Sequence, residues 1–467
     1  MTRKLITAIL MLAISTPWAW SQPLQLSLDE CRALAVKNNK NLKSADAEYQ
    51  AAYYERKAAF TKYFPRISAT GTYMKAEKEI SLLNNNQKNA LENAGGALSS
   101  AFPQIQPFEA QINAVGQGLV DALRTDTRNM SAVGVMLTQP IYMSGKIRAY
   151  NRIAANAQEI ARYSRDKEYQ DLIVEVDEAY WRVIELQTKK RLAESYYSLV
   201  DTLHSNVEKM CVEGFATKAD ELSVRVKLNE AQVTLIQVDN GLAISKMLLC
   251  QICGLDIDHE ISLSDEIPQL LDTHQNITDE IATALNCRPE LQSLTLATKI
   301  YDDKVKIARS EFLPTFAFTG GYLATSPSVF NGFEKKFNGM WTIGVVANIP
   351  LVTSGERFYK VKAAKAQALH SLLQHEEAVE KVELQVHQNH RKVSEAIERV
   401  NKAHTSELQA DENLRYAELG LSEGVIPVSN VIEAQTAWLV ARTEGISSRI
   451  DLHLAKVYLN KSIGIIQ

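Results

Sequence analysis

The sequence predicts an internally duplicated α+β membrane protein. Each chain supplies four strands to a closed oligomeric transmembrane β-barrel and carries long antiparallel coiled-coil α-helices. Three observations lead there: an export signal at the N-terminus, a repeat that runs without gaps through most of the chain, and four runs of alternating polarity set between very long helices.

The export signal comes first in the chain. Arg3 and Lys4 form a positive start, Leu5 to Ile14 a short apolar core, and Ala19, Trp20 and Ser21 a small-x-small cleavage site. The apolar core is too short to span a bilayer, and no later stretch reads as the ~20 uncharged apolar residues a spanning helix needs. Residues 1–21 are therefore assigned to a signal peptide. No cysteine stands at the cleavage point to carry a lipid anchor. A net charge of −4 gives no electrostatic reason to expect nucleic acid as a partner. The five cysteines, Cys31, Cys211, Cys250, Cys253 and Cys287, are scattered. Cys250 and Cys253 have CxxC spacing but lie in an apolar helical pattern with no second ligand pair, so they read as packed thiols.

The duplication is the most informative feature. The stretch from Val133 to Gly145 recurs from Ile343 to Gly355, with Gly134, Val135, Pro140, Ser144 and Gly145 matched by Gly344, Val345, Pro350, Ser354 and Gly355. The offset of 210 persists through Glu213 and Gly214, matched by Glu423 and Gly424, and on to Gly254 and Gly464. Upstream, Pro65 to Tyr73 matches Pro314 to Tyr322 at an offset of 249, so the first copy carries an insertion between Tyr73 and Val133. The first repeat is read as 22–254, a connector as 255–277, and the second repeat as 278–467.

Within each repeat the order is helix, strand, loop, strand, long helix, turn, helix. Lys146 to Glu213 and Glu356 to Leu419 contain neither glycine nor proline. Each is roughly 100 Å long at 1.5 Å per residue. Tyr169, Leu172, Val176, Ala179, Val183 and Leu186 step by threes and fours, a narrow stripe that belongs to a coiled coil. Shorter helices are expected at about 27–62, 217–253, 278–312 and 428–462. Ser144 and Ser354 stand where the N-caps of the long helices should be.

The strands are expected at about 66–77, 130–141, 315–325 and 340–350. Ile67, Ala69, Gly71 and Tyr73 alternate with Ser68, Thr70 and Thr72; Trp341, Ile343, Val345 and Ala347 alternate with Thr342 and Gly344. About ten residues is the length a tilted membrane-spanning strand needs. Pro65 and Pro314 mark entry into strands, and Pro140 and Pro350 the exit. Four strands cannot leave two unpaired edges in hydrocarbon, and four cannot close a barrel alone. The chain must associate, and closed cylinders of eight, twelve or sixteen strands all satisfy this.

The duplication, the proline-marked strands, the Ser-Gly start of each long helix and the Glu-Gly turns together resemble the TolC-type outer membrane efflux proteins, from about Leu26 to Gly464. The resemblance implies a homotrimer in the outer membrane with a helical tunnel in the periplasm, the connector forming a belt around it. It implies a periplasmic adaptor protein and an inner-membrane pump as partners, and outer-membrane lipid around the barrel. It implies a passive conduit with no enzymatic activity, no cofactor and no metal; no glycine-rich phosphate loop speaks against this. It also assigns roles. Glu213, Gly214, Glu423 and Gly424, at the helix tips, become adaptor contacts, beside the plain role of glycine in reversing a helix. Asp220, Asn430 and Glu433 become the periplasmic gate. Leu421 and Ile426 stand where TolC carries polar ties, which points to closure through apolar contacts.

Three readings stay open at this level. The insertion after Tyr73, with Asn84 to Asn86, Gly95 and Gly96, is an outward-facing loop that acts as a lid, a recognition surface or passive decoration. Trp341 and Tyr142 suit an aromatic girdle. His387 and His390 share a helix face but lack a third ligand, so they read as solvated rather than metal-binding. The competing function is a non-transporting coiled-coil structural protein, which offers no reason for membrane-length strands in each repeat. An enzyme would need a nucleophile and base at informative spacing, and none is present. The exported substrate and the pump class are not legible.

Overall fold

The computed structural model describes residues 24–77, 80–81, 83–125, 127–266, 277–330, 336–352 and 354–466. The expected signal peptide and part of the expected connector lie outside the described residues. In chain order the elements are β1 (Leu24–Leu26), α1 (Leu28–Asn38), α2 (Lys40–Thr61), β2 (Arg66–Lys75), β3 (Ile80–Ser81), α3 (Asn85–Glu92), α4 (Ala94–Ala101), α5 (Glu109–Ala122), β4 (Arg124–Thr125), β5 (Asn129–Tyr142), α6 (Lys146–Val212) and α7 (Lys218–Cys253). Then follow β6 (Ile261–Leu263), α8 (Ile277–Cys287), α9 (Pro289–Ser310), β7 (Thr315–Ser326), β8 (Asn338–Asn348), α10 (Glu356–Ser422) and α11 (Val428–Ile463).

The repeats agree in helix length, with 67 residues in both α6 and α10 and 36 in both α7 and α11. Helix α10 runs through Gly420 rather than stopping at Leu419, and the Ile426 side chain fills the space a Cβ there would take. The expected helices at 27–62 and 278–312 are each broken, at Asn39 and Arg288, equivalent positions with different chemistry. Asn39 leaves the helical region (ψ 131°), and its Oδ1 accepts from the N–H groups of Asn41 and Leu42 at 2.8 and 3.1 Å, capping α2. Arg288 precedes Pro289, whose ring disfavours helical backbone in the residue before it.

The chain forms two compact units. One comprises residues 54–155 and 300–368 and is built on an antiparallel sheet of order β2-β5-β7-β8. Its register runs as continuous rungs. Ile67, Leu137, Gly320 and Ile343 form one, and Ala69, Val135, Tyr322 and Trp341 the next. Ser68, Met136, Gly321 and Thr342 lie on the opposite side. Four separate alternations thus bring their apolar sets to a single face. Along β2 and β8 nearly every residue is exposed, and each presents an outer edge with no strand beside it among the described residues.

Two corrections arise at the junctions of this sheet. Strand β5 does not end at Pro140 but continues to Tyr142 through a register shift between those residues. Proline has no N–H for the ladder, so the strand bulges there. The bulge pairs Tyr142 with Phe316, ring centroids 6.2 Å apart, which places an even-numbered residue with the odd-numbered apolar set. Ser144 and Ser354 are not N-caps: both have positive φ (51° and 48°), as do Gly145 and Gly355 (80° and 87°). The Lys146 N–H donates to Met143 O at 2.8 Å across a left-handed turn, and Ser144 Oγ donates to Pro314 O at 2.7 Å. The insertion after Tyr73 is helical, with α3 to α5 between the paired short strands β3 and β4 in the chain. Its helices touch through glycine: a Cβ on Gly116 would fall 1.9 Å from Leu91 O, and one on Gly95 2.3 Å from Glu109 O.

The other unit comprises the described residues within 24–53, 156–299 and 369–466. One core gathers Leu26, Leu172, Val176, Tyr180, Val183, Leu249 and Ile261, joining α6 and α7 to the parallel β1–β6 pair. Each such side chain fully withdrawn from water contributes about 1.5–3 kcal/mol. Asp177, 1% exposed, is held inside by Arg32, whose Nε and Nη2 donate to its two oxygens at 2.7 and 2.6 Å. A second core joins Val200, Leu203, Val207, Val224, Leu414, Val428 and Val431 from α6, α7, α10 and α11.

Candidate functional site

The junction prolines fall as follows. Pro65 and Pro314 immediately precede β2 and β7, Pro350 follows β8, and Pro140 lies inside β5 at the bulge. They thus sit at the ends of the amphipathic sheet. Trp341 is 71% exposed on the apolar face, opposite Tyr322. The Tyr322 ring lies over Gly339, where a Cβ would meet it at 2.4 Å, so an aromatic ring covers bare backbone near one end of the sheet.

The tips between α6 and α7 and between α10 and α11 share one backbone solution. Gly214 (φ 85°) and Gly424 (φ 71°) are left-handed. The Phe215 N–H donates to Met210 O and the Gly214 N–H to Cys211 O, at 2.8 and 3.2 Å. Val425 to Gly420 and Gly424 to Leu421 repeat both bonds at 2.8 and 3.0 Å. These paired bonds satisfy the last carbonyls of each long helix and turn the chain back. A Cβ at either glycine meets nothing within 4 Å, so only the backbone demands glycine. Gly214→Val or Gly424→Val is expected to cost about 1–2 kcal/mol. The loss should appear as faster amide exchange confined to the mutated tip.

Beyond the glycine the tips differ. At the first, Thr217 caps α7 in a reciprocal box: Asp220 N–H donates to Thr217 Oγ1, and the Asp220 carboxylate accepts from Thr217 N–H and Oγ1 at 2.9 and 2.6 Å. Those bonds, the hydroxyl's first, hold the Asp220 carboxyl below the usual aspartate range. At the second tip Pro427 occupies the capping position and offers no hydroxyl, and Asn430 replaces the acid. Asn430 and Glu433 are exposed on the first turns of α11. Leu421 and Ile426 pack against the tip core.

Glu423 and Gly424 line a groove of about 1560 Å³, whose other wall is α6 with Arg191, Leu203 and Met210. Asp220, Asn430 and Glu433 lie outside it, as do Glu213 and Gly214. Two further residues stand at the tips beyond those expected from the sequence. Phe215 and Val425, each directly after the reversing glycine, are 77% and 78% exposed. Their equivalence across the repeat and their apolar character were legible, but their exposure was not. His390 Nδ1 lies 3.0 Å from the buried carboxylate of Glu280, and His375 Nε2 lies 3.1 Å from Thr295 Oγ1. Among the described residues no His, Cys, Asp and Glu set is arranged to hold a metal.

An amphipathic sheet with open edges and paired long helices ending in matched reversals defines a class: barrel-forming channel subunits with a helical extension. The chain belongs to the outer membrane efflux protein family, whose model matches residues 32–255 and 281–465. It is an outer-membrane efflux channel protein that extends into the periplasm, and it is not an enzyme. Among solved structures it is similar to the outer membrane protein VceC of Vibrio cholerae, at 15% identity over 94% of this chain and 96% of that one, with a TM-score of 0.75. It is similar also to the CmeC outer membrane channel of Campylobacter jejuni, at 17% identity over 94% and 85%, with a TM-score of 0.73. The open-state MtrE channel of Neisseria gonorrhoeae aligns at 14% identity over 94% and 89%, with a TM-score of 0.71. No relative was found among the curated proteins.

Proposed function

We propose that three copies close one barrel and form the passive outer-membrane conduit of a tripartite exporter. The observation that carries this is the sheet with two free edges. Its strands run alternately up and down, so β8 of one copy meets β2 of the next antiparallel, and the ring closes without an edge. The family supports the count of three, a barrel of about twelve strands. A second feature agrees. Helix α7 buries one face in its own chain, yet Leu222, Val226, Val233, Ile236, Ile244 and Met247 are exposed along its other side. Two apolar faces are why this helix alone, among the described residues, is long and apolar enough to cross a membrane. Another copy of the chain is the occupant we assign to the exposed face.

In this reading the tips at Glu213, Gly214, Glu423 and Gly424, with Phe215 and Val425, receive a periplasmic adaptor protein, and an inner-membrane pump supplies the energy. Asp220, Asn430 and Glu433 line the closed mouth, with Leu421 and Ile426 giving apolar closure. The protein purified in detergent is expected at three times the mass of the processed chain, and it should open ion-conducting channels in planar bilayers. A monomer without conductance would favour the non-transporting coiled-coil reading. Glu433→Ala is expected to raise conductance and weaken block by multivalent cations. Unchanged values would remove Glu433 from the gate.

A further inference from the structure

Cys31 on α1 and Cys250 and Cys253 at the end of α7 are buried, with exposures of 0%, 1% and 0%. Local features press the ends of these two helices together. Helix α7 ends at the left-handed Gly254, where a Cβ would fall 2.5 Å from the Cβ of Asn38. Asn38 Nδ2 also donates to Cys253 O at 3.2 Å. Cys253 lies against Cys31: its thiol donates to the Cys31 carbonyl oxygen at 3.6 Å, with both side chains buried. Cys250, one turn earlier, is engaged elsewhere, donating to His259 O at 3.6 Å.

We propose that Cys31 and Cys253 are joined by a disulfide in the mature protein. The inference rests on the placement of the helical unit in the periplasm, an oxidising compartment in which such bonds form and persist. The oxidant is an exchangeable protein disulfide. Its S–S bond breaks to two thiols and takes up two electrons and two protons, while the two S–H bonds here are replaced by one S–S bond. The exchange occurs as the exported chain folds, before α1 closes over α7. Afterwards burial shields the bond from reductants. The link closes a loop spanning most of the first repeat, which restricts the unfolded chain and ties the first helix to the end of α7. The Cys250 thiol is directed to His259 O instead, which leaves Cys31 as the partner of Cys253.

The test uses full-length protein from the outer-membrane fraction, so that localisation is checked before thiols are counted. Unfolded in denaturant with excess maleimide and no reductant, the chain of five cysteines is expected to take three labels, and five after reduction. A non-reducing peptide map is expected to link the Cys31 and Cys253 peptides. In Cys31→Ser the remaining four cysteines should all label without reductant. Five labels on the unreduced native sequence, or a link through Cys250, overturns the proposal.

Discussion

Ile343→Arg is expected to abolish the folded barrel, while Thr342→Arg, one residue away, leaves it intact. The contrast follows from register. Ile343 shares a rung with Ile67, Leu137 and Gly320, and the next rung adds Ala69, Val135, Tyr322 and Trp341. No Asp, Glu, Lys, Arg or His interrupts these two rungs, as expected of a surface meant for hydrocarbon. A guanidinium there costs about 2–4 kcal/mol near the middle of the bilayer. Each chain in a ring carries the same defect, so the cost multiplies. The heat-modifiable oligomer should be lost from detergent gels and the protein degraded or left unassembled. Thr342 faces the other way, with Ser68, Met136 and Gly321. Arginine there should preserve the oligomer and shift ion selectivity toward anions in bilayers. Loss of assembly in Thr342→Arg with normal assembly in Ile343→Arg would invert the assignment of faces.

Arg32→Ala is expected to destabilise the helical unit by about 3–5 kcal/mol, the usual consequence of stranding a buried charge. Asp177 has 1% of its side chain exposed, and the bidentate Arg32 is its partner from α1. Arg32→Lys keeps the charge but cannot reproduce the two-pronged geometry, so it should lose roughly half as much. Replacing both residues by apolar ones of similar size should recover most of the loss. The defect should also depend on pH. His453 stacks near Trp181 at 4.4 Å, and burial holds its pKa below the ordinary value, with Asp177 pulling it up and Arg32 pushing it down. A depressed histidine means that the unfolded chain binds protons more readily, so native stability falls as pH drops below about 6.5. Without Arg32 the pull of Asp177 is less opposed, and a protonated His453 partly replaces the lost cation. Thermal melts should therefore show a smaller deficit at pH 5.5 than at pH 8. A deficit that grows on acidification would refute this coupling.

Long-period features were legible in the sequence. The absence of glycine and proline from α6, and the spacing of Leu172, Val176 and Val183, require a long helix with a buried stripe, and those residues are buried. The gapless repeat made the glycine reversals at 214 and 424 visible as a pair. What escaped were events of single residues. The break at Asn39 depends on a side chain turning to cap its neighbours, which competes with helix continuation by a margin that periodicity does not measure. The bulge at Pro140 shifts Tyr142 to the other face, and alternation alone cannot foresee a skipped position. The insertion was expected as a loop because barrel strands alternate with loops, a rule that says nothing about structure within the loop; Gly95 and Gly116 let its helices touch. The gate residues were the least legible. Asp220 has a capping partner that accounts for it locally, and any role at the mouth is added to that one.

The paired tips carry a consequence for recognition. Duplication has preserved the backbone of the reversal and released its chemistry: Thr217 and Asp220 make an anionic shoulder after one glycine, and Pro427 and Asn430 a neutral one after the other. In a ring of three chains the reversals would number six in geometry but alternate between two kinds in charge. A binding protein with six equivalent fingers would then meet two classes of socket, and acidic or basic substitutions on those fingers would discriminate between them.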